Sequence, residues 1–69
     1  MSVVTITVEL TPLEAMDLAQ FIKRVRHDQV LQLTEGHLSE AQRVDQAYRM
    51  LHAAERVAQS LRLEGYAPR

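Results

Sequence analysis

Residues 39–63 read SEAQRVDQAYRMLHAAERVAQSLRL, and this stretch decides the fold. It contains no glycine or proline, and it is rich in alanine, leucine, arginine, glutamine and glutamate, which favour a helix. With about 3.6 residues per turn, its apolar side chains spread over roughly 200°, whereas a one-sided surface helix needs only about 100°. The sequence therefore predicts one long helix, begun by Ser39 and ended by Gly65, that buries two of its sides.

The length and composition of the chain limit how it can be stabilised. Its 69 residues predict a single domain over residues 1–69. A chain of this size buries only about 60% of the surface that its unfolded form exposes. Because it has no cysteine, it cannot add disulfides or thiolate-bound metals. A second copy of the chain is then the expected supplement, which predicts a homodimer.

Charge and hydropathy bear on partners and location. Eight basic and nine acidic side chains give a net charge of −1, which provides no overall attraction to nucleic acid or to an anionic membrane. The opening MSVVTITVEL has no basic region before an apolar run, and nothing predicts a membrane span. We therefore expect a cytoplasmic protein without membrane contact, in agreement with the absence of cysteine.

Residues 3–10, VVTITVEL, alternate apolar and polar side chains and are mostly β-branched, which predicts a strand. A lone strand leaves both of its edges unpaired, so we expect it to pair antiparallel with the same strand of a second copy. The predicted fold is mostly α (class α+β). It is a β-α-α chain with one N-terminal strand, two helices and a candidate short third helix, and its strands pair across a homodimer.

Local signals divide the helical part of the chain. Thr11, Pro12 and Glu14 predict a capping box that begins the first helix. The apolar face of this helix loses register after Arg26, which predicts a break over residues 26–28 and a short helical turn over residues 30–33. Gly36 is the expected C-cap of that turn, and residues 66–69 are expected to form a tail.

The sequence offers little material for catalysis. His27, His37 and His52 lack the i, i+4 spacing of a helical zinc site, and no glycine-rich phosphate loop is present. A pocket that excludes water is also hard to build in so short a chain. We therefore expect no enzyme activity, no catalytic residue, no bound metal and no cofactor.

Two sets of residues are predicted to make contacts. The dimer interface combines the inward side of the strand with the apolar arc of the long helix: Val4, Ile6, Val8, Tyr48, Leu51, Ala54, Ala58 and Leu61. Contacts to another molecule are predicted for the outward side of the strand, a basic cluster, the polar arc of the long helix and the tail: Thr5, Thr7, Glu9, Lys23, Arg24, Arg26, Arg49, Arg56 and Tyr66. The basic cluster also has a purely structural interpretation, because cations stabilise the C-terminal end of a helix.

The segment TITVELTPLEAMDLAQF resembles the opening of ribbon-helix-helix repressors. Those proteins are dimeric DNA-binding regulators that pair their strands into a ribbon and read the major groove with its outward residues. The resemblance implies that Thr5, Thr7 and Glu9 would be the readers. Because Glu9 would place a negative charge beside phosphates, this function is the alternative rather than the preferred one.

A second resemblance covers most of the chain. TITVELTPLEA, LAQFIKRV, DQAYRMLHAAERVAQSL and EGYAPR are similar to a family of short uncharacterised proteins from phages, plasmids and genomic islands of Gram-negative bacteria. This resemblance implies a mobile-element setting, in which small proteins repress promoters or block host defence complexes. The preferred function is accordingly a non-enzymatic binding protein that occludes a protein partner, for example an anti-CRISPR-like inhibitor. A structural or accessory phage protein is a third possibility.

Overall fold

A computed structural model describes residues 2–68, so the predictions that concern Met1 and the tail residue Arg69 lie outside the described residues. An extended segment, residues 2–10, comes first and is called the arm below. Three helices follow it: α1 (Pro12–Arg24), α2 (His27–Leu31) and α3 (Glu40–Leu63). Among the described residues, no helix combines the length and the apolar character that a membrane crossing requires.

The long helix predicted from the sequence is α3, and its ends have local causes. Ser39 accepts a hydrogen bond from the Gln42 amide at 3.2 Å, and the Gln42 side chain accepts one from the Ser39 amide at 3.0 Å. These bonds satisfy donors that the first turn of a helix leaves free. At the other end, Gly65 adopts a φ of +94°, which favours glycine and ends the helix.

The start of α1 is also as predicted. The Glu14 amide donates to the Thr11 hydroxyl at 3.1 Å, the Thr11 amide donates to the Glu14 carboxylate at 2.9 Å, and Pro12 occupies the first turn. A break is present, but it lies at residues 25 and 26, earlier than the predicted residues 26–28. The short third helix is α2, which begins at His27 rather than at residue 30.

Gly36 is not the predicted C-cap. The short helix α2 ends at Leu31 with Gln32 as its cap, and among the described glycines only Gly65 has a positive φ. The turn after α2 is instead held by the side chain of Thr34. Its hydroxyl donates to the Leu31 carbonyl at 2.6 Å and accepts from Arg43 Nε of α3 at 2.8 Å. The hydrogen bonds of the Thr34 side chain therefore hold the turn that Gly36 was predicted to form as a C-cap.

The helices α1 and α2 pack against different halves of α3. Against its C-terminal half, Ala15 and Ala19 of α1 are buried with Leu61, while Leu18 and Tyr66 pack around them. The N-terminal half is covered by α2 and the turn that follows it, through the bridge from Thr34 to α3. The core is small, because four of its six buried apolar residues are alanine. The six described residues are Ala15, Ala19, Val30, Ala47, Ala58 and Leu61.

The predicted strand is wrong. No strand or sheet occurs among residues 2–68, and the arm is extended but unpaired, with Val4 91% exposed. A strand requires a neighbouring strand for its ladder of hydrogen bonds, and the described chain has no second segment that could serve. The β-α-α architecture and the strand pairing across a homodimer are therefore wrong as well. Without a ribbon, Thr5, Thr7 and Glu9 do not form the reading face that the ribbon-helix-helix resemblance implies.

The molecule is thin and exposes much surface for its length. Its radius of gyration is 13.7 Å, whereas a compact domain of this length has about 11 Å. Its shortest extent is 15 Å, little more than the diameter of a helix, about 10–12 Å with side chains. The accessible surface is 5918 Å², compared with about 4,400 Å² for a folded monomer of this mass. The buried and half-buried residues along the apolar arc of α3 follow one stripe (Ala47, Leu51, Ala54, Ala58 and Leu61), so α3 is covered on one side, not on the two that were predicted.

Candidate protein-binding surfaces

The arm is the most exposed apolar part of the described chain. Ile6 is 70% exposed and Val8 is 63% exposed, although both are large apolar side chains. Together with Leu18 and Val57 they line a shallow groove of about 370 Å³ beside the C-terminal half of α3. The arm therefore lies along its own chain without being buried by it. Because extended apolar segments without a cover readily associate, the arm is a candidate contact surface.

A second groove lies between α1 and α2 and has a volume of about 470 Å³. Its apolar wall comes from Phe21, Val25 and Leu33, of which Phe21 is 64% exposed and Leu33 is 73% exposed. Asp17 and Arg24 also line it, and neither side chain makes a hydrogen bond or an ion pair with another described residue. We call it the α1–α2 groove. An apolar wall with two unpaired charges suits a segment that carries both apolar and charged side chains.

One residue that lines the α1–α2 groove, Gln20, has an unsatisfied polar atom that is closed off from solvent. The side-chain oxygen of Gln20 is buried and accepts no hydrogen bond from a described residue. Buried acceptors without a donor are uncommon in folded proteins because they lose their hydration without replacement.

The side of α3 that faces away from α1 and α2 is polar, and we call it the outer face of α3. Its members are all exposed: Asp45, Arg49, His52, Arg56 and Gln59. Arg49 and Arg56 are two turns apart and form no ion pair with a described residue, whereas Arg62 is held by Glu55 at 3.0 Å. The outer face of α3 thus presents two cations that are free to meet an acidic surface.

Three rings come together where α2 meets α3. The Tyr48 ring lies 4.5 Å from that of His27 and 6.4 Å from that of His52, measured between centroids. Tyr48, which was assigned to the predicted dimer interface, is 51% exposed. Nε2 of His27 is buried and has no hydrogen-bond partner among the described residues. Sequence spacing could not reveal this cluster, since its rings come from two helices.

The predicted dimer residues fall into two groups in the structure. Val4, Ile6 and Val8 of the arm are exposed and available to a second copy. In contrast, Ala58 and Leu61 are buried, and Leu61 packs against α1 of the same chain. Of the three remaining members, Leu51 and Ala54 are half-buried and Tyr48 is 51% exposed. Of the two parts of the predicted interface, the arm is the one that the fold leaves open.

The residues predicted to contact another molecule are not brought together. Glu9 stands on the arm with Thr5 and Thr7, and all three are exposed. In the basic cluster, Arg26 is paired with Asp28 at 3.3 Å, so this charge is already partly neutralised. At the other end of the chain, Tyr66 is half-buried against the core.

Among residues 2–68, no three histidine, aspartate or glutamate side chains are grouped so that they could hold a metal ion. The clearest change in acidity is at Glu14, whose pKa is lowered because its carboxylate accepts the Thr11 amide. That bond belongs to the cap of α1. The features of the described surfaces that bear on binding are their shape, their exposed apolar side chains and their charges.

Comparison with known proteins gives one assignment. A family model matches residues 1–69, which is the whole chain. The chain belongs to DUF7706, a family of unknown function. Membership in DUF7706 confirms the expectation of an uncharacterised family. No curated protein and no solved structure shows a significant match to the chain.

The sequence of this DUF7706 protein did not lead us to predict the α1–α2 groove. A signal was present, because Phe21 lies at the margin of the apolar face of α1 and Leu33 follows the point where that face loses register. Apolar side chains that fall outside a helix's buried stripe can mark a second contact surface. Their meeting at one groove depends on how α2 is placed against α1 after the break, and the sequence does not give that placement.

Proposed function

We propose that this chain is a small non-enzymatic binding protein that forms a homodimer and acts by occluding the surface of a protein partner. The observation that carries the proposal is the amount of uncovered apolar surface. Among residues 2–68, twelve large hydrophobic side chains are exposed, whereas six apolar residues are buried, four of them alanines. Hydrophobic burial supplies the main driving force of folding, so this balance favours a chain that is completed by association.

The excess surface supports a second copy as the first partner. The chain exposes about 1,500 Å² more than a compact monomer of its mass. Obligate homodimers bury about 1,000–2,500 Å² on each subunit, so the excess falls within their range. A near-neutral net charge of −1 offers little electrostatic repulsion between two copies.

The outer face of α3 is the surface we assign to the protein partner. Arg49 and Arg56 project from one side of a 24-residue helix, which is about 36 Å long. Two unpaired guanidinium groups on such a helix suit an acidic protein surface, because each can form a two-pronged bond to a carboxylate. In the mobile-element setting that the sequence resemblance implies, the partner would be a component of a host-defence complex.

The homodimer is tested by light scattering during size-exclusion chromatography. At micromolar concentration the measured mass should be twice the 7.9 kDa of one chain. A helical species whose mass stays at that of one chain at every concentration would contradict the homodimer.

The protein partner is tested by capture from host lysate treated with nuclease. An Arg49→Glu/Arg56→Glu variant should lose the captured protein, while the matched Arg49→Lys/Arg56→Lys control should retain most of it because the charge is kept. A gel-shift against DNA upstream of the gene, run in parallel, should show no specific complex. Nanomolar, competitor-resistant binding to that DNA would overturn the proposed function.

A further inference from the structure

Two features of the chain are complementary, the arm and the α1–α2 groove. Val8 and Ile6 of the arm are large apolar side chains with no cover, and the groove has an apolar wall of Phe21, Val25 and Leu33 with nothing against it. We propose that, in the homodimer, the arm of each chain docks into the α1–α2 groove of the other. This inference rests on the homodimer proposed above and names the contact that forms it.

Charge supports this occupant and also orients it. Glu9 is the arm's one charged side chain among residues 2–10, and it makes no hydrogen bond or ion pair with another described residue. Arg24 is an unpaired cation of the groove, whereas Asp17 lies two turns earlier in α1. Glu9 is attracted to the Arg24 end of the groove and repelled from the Asp17 end. The arm therefore enters at the C-terminal end of α1.

The connectivity agrees with this direction for one arrangement of the two copies. The arm leaves the N-terminal end of α1, and the groove follows the later part of α1, from Asp17 to Val25. When two copies of α1 lie antiparallel across a two-fold axis, the base of one arm is placed beside the C-terminal end of the other α1. Glu9, close to the base of the arm, then meets Arg24, while Val8 and Ile6 continue toward Leu33.

The arm is also long enough to follow the α1–α2 groove of the other chain, and the contact needs no pairing between strands. The nine residues of the arm span about 30 Å when extended, longer than the roughly 20 Å of α1. The arm docks between two helices through its side chains and does not pair with another strand. When an arm docks into the α1–α2 groove of the other chain, the exposed apolar side chains of the arm and of the groove cover one another. The dimer contains two such contacts.

Cysteine cross-linking tests the contact directly, because the natural chain has no cysteine. A chain with Val8→Cys is mixed with a tagged chain with Leu33→Cys and treated with a short bis-maleimide. We expect the mixed species to be the main product. As a control, a Val57→Cys chain replaces the Leu33→Cys chain in the mixture. The arm exchange would be overturned if the Val8→Cys chain linked mainly to other Val8→Cys chains, or if it linked to the Val57→Cys chain as efficiently as to the Leu33→Cys chain.

A charge exchange gives a second test that leaves the fold intact, since both residues are exposed. Glu9→Lys and Arg24→Glu should each weaken the dimer about tenfold, because two symmetric pairs are lost and replaced by like charges. The double variant should restore the wild-type dissociation constant, measured by analytical ultracentrifugation. Glu40→Lys, at the start of α3, is the matched control and should leave the constant unchanged.

Deletion of residues 2–9 separates this inference from the homodimer itself. The deletion keeps the cap of α1, so the helical circular dichroism should be retained, while the dimer should dissociate at concentrations at least tenfold higher. If wild-type protein is a dimer and the deletion does not weaken it, the arm exchange is wrong and the homodimer stands. If wild-type protein is a monomer, both are wrong.

Discussion

Alanine is the residue that sets the character of this core. Ala47 is fully buried, and Ala15, Ala19 and Ala58 are each at most 5% exposed. Small side chains at a contact let helix axes approach closely, and Ala15 and Ala19 of α1 are buried together with Leu61 of α3. Each alanine, however, removes less apolar area from water than a leucine or a phenylalanine, and hydrophobic stabilisation follows that area. The buried apolar core of the described residues is therefore weak.

At the residue scale, the cap of α1 makes a prediction about pH. The pKa of Glu14 lies below its ordinary value of 4.5, first because the Thr11 amide donates to its carboxylate. Since the folded pKa is lowered, the stabilisation is present above the ordinary value and is lost as pH falls through the folded pKa. A carbon-detected NMR titration of the Glu14 carboxyl should show the lowered pKa.

A variant of the cap isolates the cause. Thr11→Pro removes both the amide and the hydroxyl while suiting the observed φ of −68°. The pKa of Glu14 should return to its ordinary range in this variant. The same lowered pKa in both proteins would show that the cap is not its cause.

At the scale of elements, the turn between α2 and α3 depends on polar contacts. Thr34 is 8% exposed and joins the Leu31 carbonyl to Arg43, while the Glu35 amide donates to the Gln46 side chain at 3.1 Å. A helix as short as α2, with five residues, is not stable by itself. The position of α2 therefore follows from these contacts with α3 and from the burial of Val30.

Thr34→Val tests this attachment. The change keeps the shape of the side chain but removes the hydroxyl, which leaves the Leu31 carbonyl and Arg43 Nε less satisfied. We expect a loss of about 1–3 kcal/mol in the free energy of unfolding, measured by urea denaturation. Thr5→Val on the exposed arm is the matched control and should change it by no more than about 0.5 kcal/mol. Equal effects at the two positions would contradict the role of Thr34.

At the scale of the whole molecule, the shape suggests half of a larger assembly. Stable domains bury the apolar side of each element in a second layer, whereas this chain is 15 Å across in its shortest direction. The accessible surface of 5918 Å² leads to the same conclusion. A second copy would supply the missing layer, and folding would then be linked to association.

This linkage predicts that thermal stability depends on protein concentration. A tenfold rise in concentration changes the free energy of a dimer by about 1.4 kcal/mol, which corresponds to about 5 °C in Tm for two chains of this length. Over a hundredfold range, scanning calorimetry should therefore show Tm rising by about 10 °C. A constant Tm would mean that one chain alone forms the stable unit.

Several features were predictable because their causes lie within one or two turns of the chain. The cap at Thr11 involves Glu14 three residues later, and the cap at Ser39 involves Gln42 at the same spacing. The end of α3 needs only the backbone freedom of Gly65. The break after α1 was visible as a loss of register in its apolar face. None of these features requires knowledge of what packs against the helix.

The arm and the covered side of α3 were decided by tertiary structure alone. Alternation in residues 3–10 describes a segment that could form a strand, but a strand exists only when a neighbour supplies its ladder, and this chain has no such neighbour among its described residues. Likewise, the wide apolar arc of α3 does not say which part its own chain covers. The bend after Arg24 and the bridge from Thr34 to Arg43 decide that by directing α2 onto one side. Both outcomes depend on contacts between residues distant in sequence, which no local pattern contains.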